Sequence, residues 1–234
     1  MSFTFYGDLL GISNAYRLSP NAGYQKLDRF YNLCFQHLRA VCERPNPAQV
    51  NLFSDSIFFW GDDAQEALEL LKRLYVDLIS EDLLLRGAIV QGALQFDPRF
   101  TVKNFNKSLP EGDVLPRAVG LASGQKGARL IVEREVAHSV LPWAEWHTVN
   151  GYLRFRDAHP DIPLHDTRRF VCPSPDGTFY ELLYFYPDVS GQLLDYEAIS
   201  HRLRSAGKMT SREFVAHYTE TINLIERSRL RSQP

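Results

Sequence analysis

Cysteine is scarce in this chain: Cys34, Cys42 and Cys172 are the only three, an odd number with no close pair. That excludes a disulfide scaffold and a cysteine-based zinc site, and leaves reduced, mostly buried thiols. The seven histidines are dispersed, and none forms the i, i+4 pair that would put two imidazoles on one helical face for zinc. No run of about 18 apolar residues occurs, so no membrane-spanning helix is expected. The opening Met1-Ser2-Phe3-Thr4 has no basic region followed by an apolar segment. A soluble, cytoplasmic protein is the expectation. A charge excess is lacking too: 26 Lys and Arg face 28 Asp and Glu, for a net charge of -2. That balance gives no electrostatic case for nucleic acid or an anionic membrane as partner. Only the last 35 residues lean basic, and these read as a solvated helical face. No repeat or low-complexity tract suggests a scaffold.

What is present is a chain of 234 residues, 44% apolar, enough for the core of one domain spanning 1–234. Two aspartates stand out. Asp8 lies in Phe5-Tyr6-Gly7-Asp8-Leu9-Leu10-Gly11 and Asp55 in Asn51-Leu52-Phe53-Ser54-Asp55-Ser56-Ile57. Each carboxylate falls where an apolar, strand-like run meets a turn, and two such groups can grip one or two divalent cations. Taken singly, each reads more readily as a turn residue than as a metal ligand.

Residues 2–6 are aromatic and β-prone, and Gly7 and Gly11 permit a turn around Asp8. From Tyr24 to Val41, apolar residues recur at helical spacing until Pro45 and Pro47 bar continuation. Val50–Phe53 and Ile57–Trp60 flank Ser54-Asp55-Ser56 as a hairpin, with Asn51, Phe53 and Asp55 on one side of the strand. Asp62 or Asp63 caps the next helix, whose stripe is Leu68, Leu71, Leu74, Tyr75 and Leu78. Leu83–Val90 reads as a buried strand. A helix is expected near 115–125, a strand near 129–133, and helices from Gln192 to Arg229. The turn formers between Asp97 and Arg117 suggest a mobile loop over a ligand. Pro142-Trp143-Ala144-Glu145-Trp146 reads as packing.

This order resembles the class III nucleotidyl cyclases, the catalytic domains of adenylate and guanylate cyclases. The resemblance is carried by Asp8-Leu9-Leu10-Gly11, by Ser54-Asp55-Ser56, and by Leu85-Arg86-Gly87-Ala88-Ile89-Val90-Gln91-Gly92, whose last glycine is displaced by one position. It is clearest over residues 2–94 and implies an α+β fold, an antiparallel sheet with a ferredoxin-like core and a C-terminal helical extension. The implied core is 1–140, with 141–234 an extension to which the family assigns nothing. It also implies a homodimer, paired head to tail with sites at the interface.

By the same resemblance, Asp8 and Asp55, joined by the Leu9 carbonyl, would bind two manganese or magnesium ions. The peptide groups of Leu10, Gly11, Ile12 and Ser13 would cradle the β and γ phosphates. Base recognition departs from the family: adenylate cyclases have lysine and guanylate cyclases glutamate where this chain has Asn51. A side-chain amide donates and accepts, so Asn51 suits a pyrimidine edge, and Phe53 can stack on the base. In this the chain resembles the pyrimidine cyclases of the bacterial anti-phage systems called Pycsar, which make cyclic CMP or cyclic UMP and activate a separate effector. UTP is favoured over CTP as substrate. The family's Asn-x-x-x-Arg is missing, with Pro116 and Gly120 in its places. Arg117 is the nearest guanidinium for a catalytic role, Arg86 reads as structural, and Asn150 with Arg154 falls too late in the chain. A purine cyclase and an inactive nucleotide-binding homologue remain the alternatives.

Overall fold

In the run FTFYGDL, Phe3, Phe5 and Leu9 point to one side of strand β1 (Phe3–Leu9), and Thr4, Tyr6 and Asp8 to the other. The apolar side is at most 2% exposed at those three residues, which makes β1 a core strand rather than an edge. It pairs antiparallel with β3 (Ser56–Gly61) on one flank and β4 (Leu85–Gln91) on the other.

The structure, a computed structural model, describes residues 1–97, 99, 109–140, 171–173, 179–182, 184, 195–208, 210 and 212–232. The other elements are α1 (Ile12–Leu18), α2 (Pro20–Cys42), β2 (Gln49–Phe53), α3 (Ala64–Ser80), α4 (Val114–Ser123), β5 (Leu130–Glu133) and α5 (Arg134–Val140). Then come β6 (Val171–Pro173), β7 (Phe179–Leu182), α6 (Tyr196–Lys208) and α7 (Arg212–Ser232). The strands form one sheet in the order β2-β3-β1-β4-β5-β7-β6. The α+β class holds. The expected antiparallel sheet is mixed at one junction, where β4 pairs parallel with β5. The chain reaches β5 from β4 through α4, and such a crossover returns it in the same direction.

Gly7 and Gly87 face each other across β1 and β4 because the Phe5 ring fills the space beside them. A Cβ on Gly87 would stand 2.5 Å from Phe5 Cε2. That side of the sheet is covered by α2, through Phe30, Cys34, Leu38 and Val41, and by α3, through Leu71, Leu74, Tyr75 and Leu78. Asp63 caps α3 by accepting from the Glu66 amide at 3.0 Å. Truncating the fully buried Phe30 to alanine would cost about 3–5 kcal/mol. The residues expected to lie outside the family core supply β6 and β7 to the sheet edge, and Leu224 and Ile225 of α7 to this same core.

The opposite side is covered differently. Helix α4 packs on it over β1 and β4 and touches β5, in a small cluster of Ala88, Ala122 and Ile131 with Tyr6, Leu121 and Phe179 around it. Toward β2 the face is open, and Phe53 there is 74% exposed. Among the described residues, no helix is long and apolar enough to cross a membrane.

Candidate active site

Directly paired residues of an antiparallel sheet share a face, so strand register places the site residues. Asp8 lies between Ser56 and Arg86, and Ser56 in turn pairs with Phe53. Phe53, Ser56, Asp8 and Arg86 therefore form one row across four strands on the partly open face. The row one step along is Asn51, Phe58, Tyr6 and Ala88. Phe53 stands two strands from Asp8, about 10 Å.

The hairpin turn is two residues, Ser54 and Asp55, with Ser56 already in β3. Ser54 takes a left-handed conformation at φ 54°, which serine tolerates only in a turn held from outside. Two contacts hold it. The Leu9 amide donates to the Asp55 carbonyl oxygen at 2.7 Å. The Tyr31 hydroxyl on α2 meets the Ser54 backbone. The turn is thereby fastened to the end of β1, and the two aspartates become neighbours.

Their electrostatics suit a cation. Burial raises the Asp8 carboxyl above its usual range, the Arg86 guanidinium opposes that rise, and the Asp55 carboxylate adds to it. Arg86 Nη2 donates to Asp8 Oδ2 at 3.0 Å, with both side chains mostly buried. Asp8 thus carries a charge that its surroundings compensate only in part, and a hard divalent ion bound by oxygen would compensate the remainder. Among the described residues, no group of three or more His, Cys, Asp or Glu side chains is gathered to hold a metal. Two carboxylates and a backbone carbonyl are hard oxygen donors, a set that would suit a divalent ion.

Beyond Asp8, the chain turns at Gly11, whose φ of 81° glycine adopts freely. The Gly11 carbonyl accepts the first bond of α1 from the Ala15 amide at 3.1 Å. The Leu10 amide is spent on the Leu84 carbonyl at 2.8 Å. Of the four peptide groups expected to cradle phosphate, those of Gly11, Ile12 and Ser13 stand where a helix start leaves amides without an intrahelical acceptor.

Arg117 is not brought to Asp8 within one chain. Its Nη2 donates to the Gln91 carbonyl at 2.9 Å, its Nη1 contacts Glu133, and its Nε lies 3.2 Å from Asp113. Gln91 is five residues along β4 from Arg86, about 17 Å. Pro116 and Gly120 lie exposed one turn apart on α4, and a Cβ at Gly120 would meet nothing within 4 Å. Helix α4 begins at Val114, so the loop expected from Asp97 to Arg117 ends at Asp113. Its base is closed by a bridge between Phe96 and Pro110. Residues 98 and 100–108 of that loop, together with Trp143, Trp146, Asn150 and Arg154, lie outside the described residues.

Arg86 is the site residue that sequence reasoning set aside. As the first interior residue of a buried strand it reads as structural, and only the register with Asp8 reveals the ion pair. On its other side Arg86 Nη1 donates to the Gln125 carbonyl at 3.4 Å. The Gln125 side chain accepts from Arg129 Nη1 at 2.8 Å, and Arg129 is forked onto Glu181, its Nη2 donating at 2.7 Å.

Comparison with known proteins follows the same outline. No protein-family model and no curated protein matches the chain. Among solved structures, it is similar to the adenylyl cyclase CyaB from P. aeruginosa, with 15% identity over 60% of this chain and 80% of that one, TM-score 0.45. A guanylate cyclase domain of RhGC from Catenaria anguillulae, solved in complex with GTP, matches at 13% identity over 61% of this chain and 82% of that one, TM-score 0.44. An adenylate cyclase from Trypanosoma brucei matches at 9% identity over 78% of this chain and 88% of that one, TM-score 0.50. Identities this low bear on fold alone. The chain has the class III nucleotidyl cyclase fold.

Proposed function

We propose that the protein is a nucleotidyl cyclase that converts a pyrimidine nucleoside triphosphate, UTP in preference to CTP, into its 3′,5′-cyclic monophosphate and pyrophosphate. The observation that carries the reading is the fastening of the Asp55 turn to the Leu9 amide, which brings that turn to the end of the core strand bearing Asp8, close enough for the Asp55 charge to act on the Asp8 carboxyl. Asp8 and Asp55, with the Leu9 carbonyl, would hold two manganese or magnesium ions. Ions held there would supply positive charge to offset that on the attacking 3′-oxygen and on the departing pyrophosphate.

The rest of the task falls to the chain's own groups. The amides of Gly11, Ile12 and Ser13 receive the β and γ phosphates. Arg86 keeps the Asp8 carboxylate oriented. Asn51 and Phe53 lie on the same face as Asp8, where the amide reads the base edge and the exposed ring stacks on it. Phe53 is not a core residue, which supports a contact role over a packing one. Arg117 would act across a head-to-tail homodimer interface, on the site of the partner subunit. The cyclic nucleotide would signal to a separate effector in anti-phage defence, inside the cytoplasm.

One observation favours a second reading. Arg117 is already neutralised by Glu133 and Asp113, and Pro116 and Gly120 offer no polar side chain on the exposed face of α4. An inactive, nucleotide-binding homologue would look the same there. Incubation of the purified protein with ATP, GTP, CTP and UTP together with manganese, read by mass spectrometry, separates the readings. Cyclic UMP or cyclic CMP supports the proposal, a preference for ATP or GTP replaces it with a purine cyclase, and binding without product supports the inactive homologue.

A further inference from the structure

Helix α7 carries no chemical signature, yet one of its faces meets both chain turns that flank the Asp8–Arg86 pair. The first is the turn leading into β5. Gly127 there has φ 87°, and a Cβ on it would stand 3.0 Å from both the Thr221 backbone nitrogen and Glu220 Cβ. Only glycine allows so close an approach to the helix backbone. The adjoining peptide groups are then taken up by α7 side chains. The Gly127 amide donates to His217 Nδ1 at 3.1 Å and the Ala128 amide to Thr221 Oγ1 at 2.9 Å. The Thr221 hydroxyl spends its proton on the His217 carbonyl at 2.7 Å, which leaves its lone pairs free to accept.

His217 and Thr221 are both buried, so each replaces water as the partner of a backbone amide. One turn earlier on the same face, Phe214 Cε1 lies 3.9 Å from the Cβ position of Gly11. Both turns adjoin the Asp8–Arg86 pair in the chain or by hydrogen bond. Gly11 follows Asp8 by three residues. Gln125, two residues before Gly127, offers its carbonyl to Arg86 and its side chain to Arg129.

We propose that α7 braces the triphosphate end of the site, with His217 and Thr221 as positioning residues that fix the Gly127 and Ala128 peptide groups and so hold Gln125 and Arg86 at Asp8, while Phe214 backs the Gly11 turn. This rests on the nucleotidyl cyclase reading. The helix touches neither base nor cation. Its effect is on phosphate affinity and on the order of two turns.

The test uses the full chain carrying Thr221→Val or His217→Leu, with Thr221→Ser and His217→Asn as conservative rescues that keep an acceptor. Amide hydrogen exchange of segments 9–13 and 124–129 is read without ligand, and binding of inorganic triphosphate with manganese is read by calorimetry. The brace predicts that exchange in both segments rises in the Val and Leu variants and that triphosphate affinity falls about tenfold, roughly what one lost buried hydrogen bond is worth. Both readouts return toward the parent in the Ser and Asn variants.

Unchanged exchange in a folded Thr221→Val protein overturns the brace. So does raised exchange with undiminished triphosphate affinity. If Thr221→Val does not fold, Phe214→Leu takes its place, with raised exchange in 9–13 expected and unchanged exchange overturning. A parent protein that binds no triphosphate and forms no cyclic product overturns the cyclase reading instead, and the exchange readout still decides whether α7 orders the two turns.

Discussion

Arg86 Nη2 donates to Asp8 Oδ2 at 3.0 Å across neighbouring strands, and the pair is the electrostatic centre of the site. Burial holds the Asp8 carboxyl above its usual range, so ionising it costs stability as pH rises through that raised value. A cation that binds the carboxylate offsets the cost. Manganese at about 100 times its Kd would contribute about 2.7 kcal/mol, or roughly 5–10 °C in Tm for a chain of this size. Calorimetric melting at neutral pH should show that rise in the parent protein and not in Asp8→Asn. An equal rise in both would remove Asp8 from the cation site.

Phe53 is the most exposed aromatic ring of the open sheet face, so its removal tests binding without disturbing the core. Phe53→Ala should melt within about 0.5 kcal/mol of the parent. Its KM for the preferred triphosphate should rise several-fold to about tenfold, the worth of one stacked ring. A KM that stays put would assign Phe53 to solvent or to a subunit contact.

Arg117 is anchored at Gln91, about 17 Å along β4 from Arg86, so under the proposal it acts on the site of a partner subunit. Arg117→Ala and Asp55→Ala should each be inactive alone. Mixed in equal amounts and allowed to exchange subunits, they should recover up to about a quarter of parental turnover, because half the dimers are mixed and each mixed dimer has one intact site. Failure to complement, with mixed dimers demonstrated, would exclude Arg117 from action across the interface.

Histidine 217 gives the fold a pH dependence of known direction. Its burial, then the charges of Lys126 and Arg86, lower its pKa from 6.5 to about 4. Between those values the unfolded chain holds the proton and the folded chain does not. Stability from neutral His217 is therefore complete above 6.5 and is lost as pH falls toward 4. Urea unfolding across that window should show a shallower decline in His217→Asn than in the parent, and equal slopes would contradict the assignment.

Much of this fold is legible in the sequence wherever one local rule dominates. Aromatic, β-prone composition locates β1, helical periodicity finds α2 and α3, and Asp62 or Asp63 announces the start of α3, where the structure uses Asp63. The hairpin around Ser54 and Asp55 follows from two apolar runs and a polar turn. What escapes notice depends on partners distant in sequence. Arg86 looks structural until register sets it against Asp8, 78 positions away. The parallel β4–β5 junction depends on a crossover that no periodicity encodes. His217 and Thr221 look like ordinary helix residues, because the amides they accept from lie 90 and 93 positions earlier. Gly127 is informative only once the backbone of α7 is seen against it.

The central claim is that Asp8 and Asp55 together hold the ions on which turnover depends. Its most direct test is cyclic nucleotide formation from UTP and CTP as a function of manganese concentration, in the parent, Asp8→Asn and Asp55→Asn proteins, each shown to be folded. The account predicts saturable, manganese-dependent product in the parent and a loss of at least about a hundredfold in each variant, in keeping with removal of a group that stabilises transition-state charge. Manganese-dependent product at parental rates from either folded variant would contradict it.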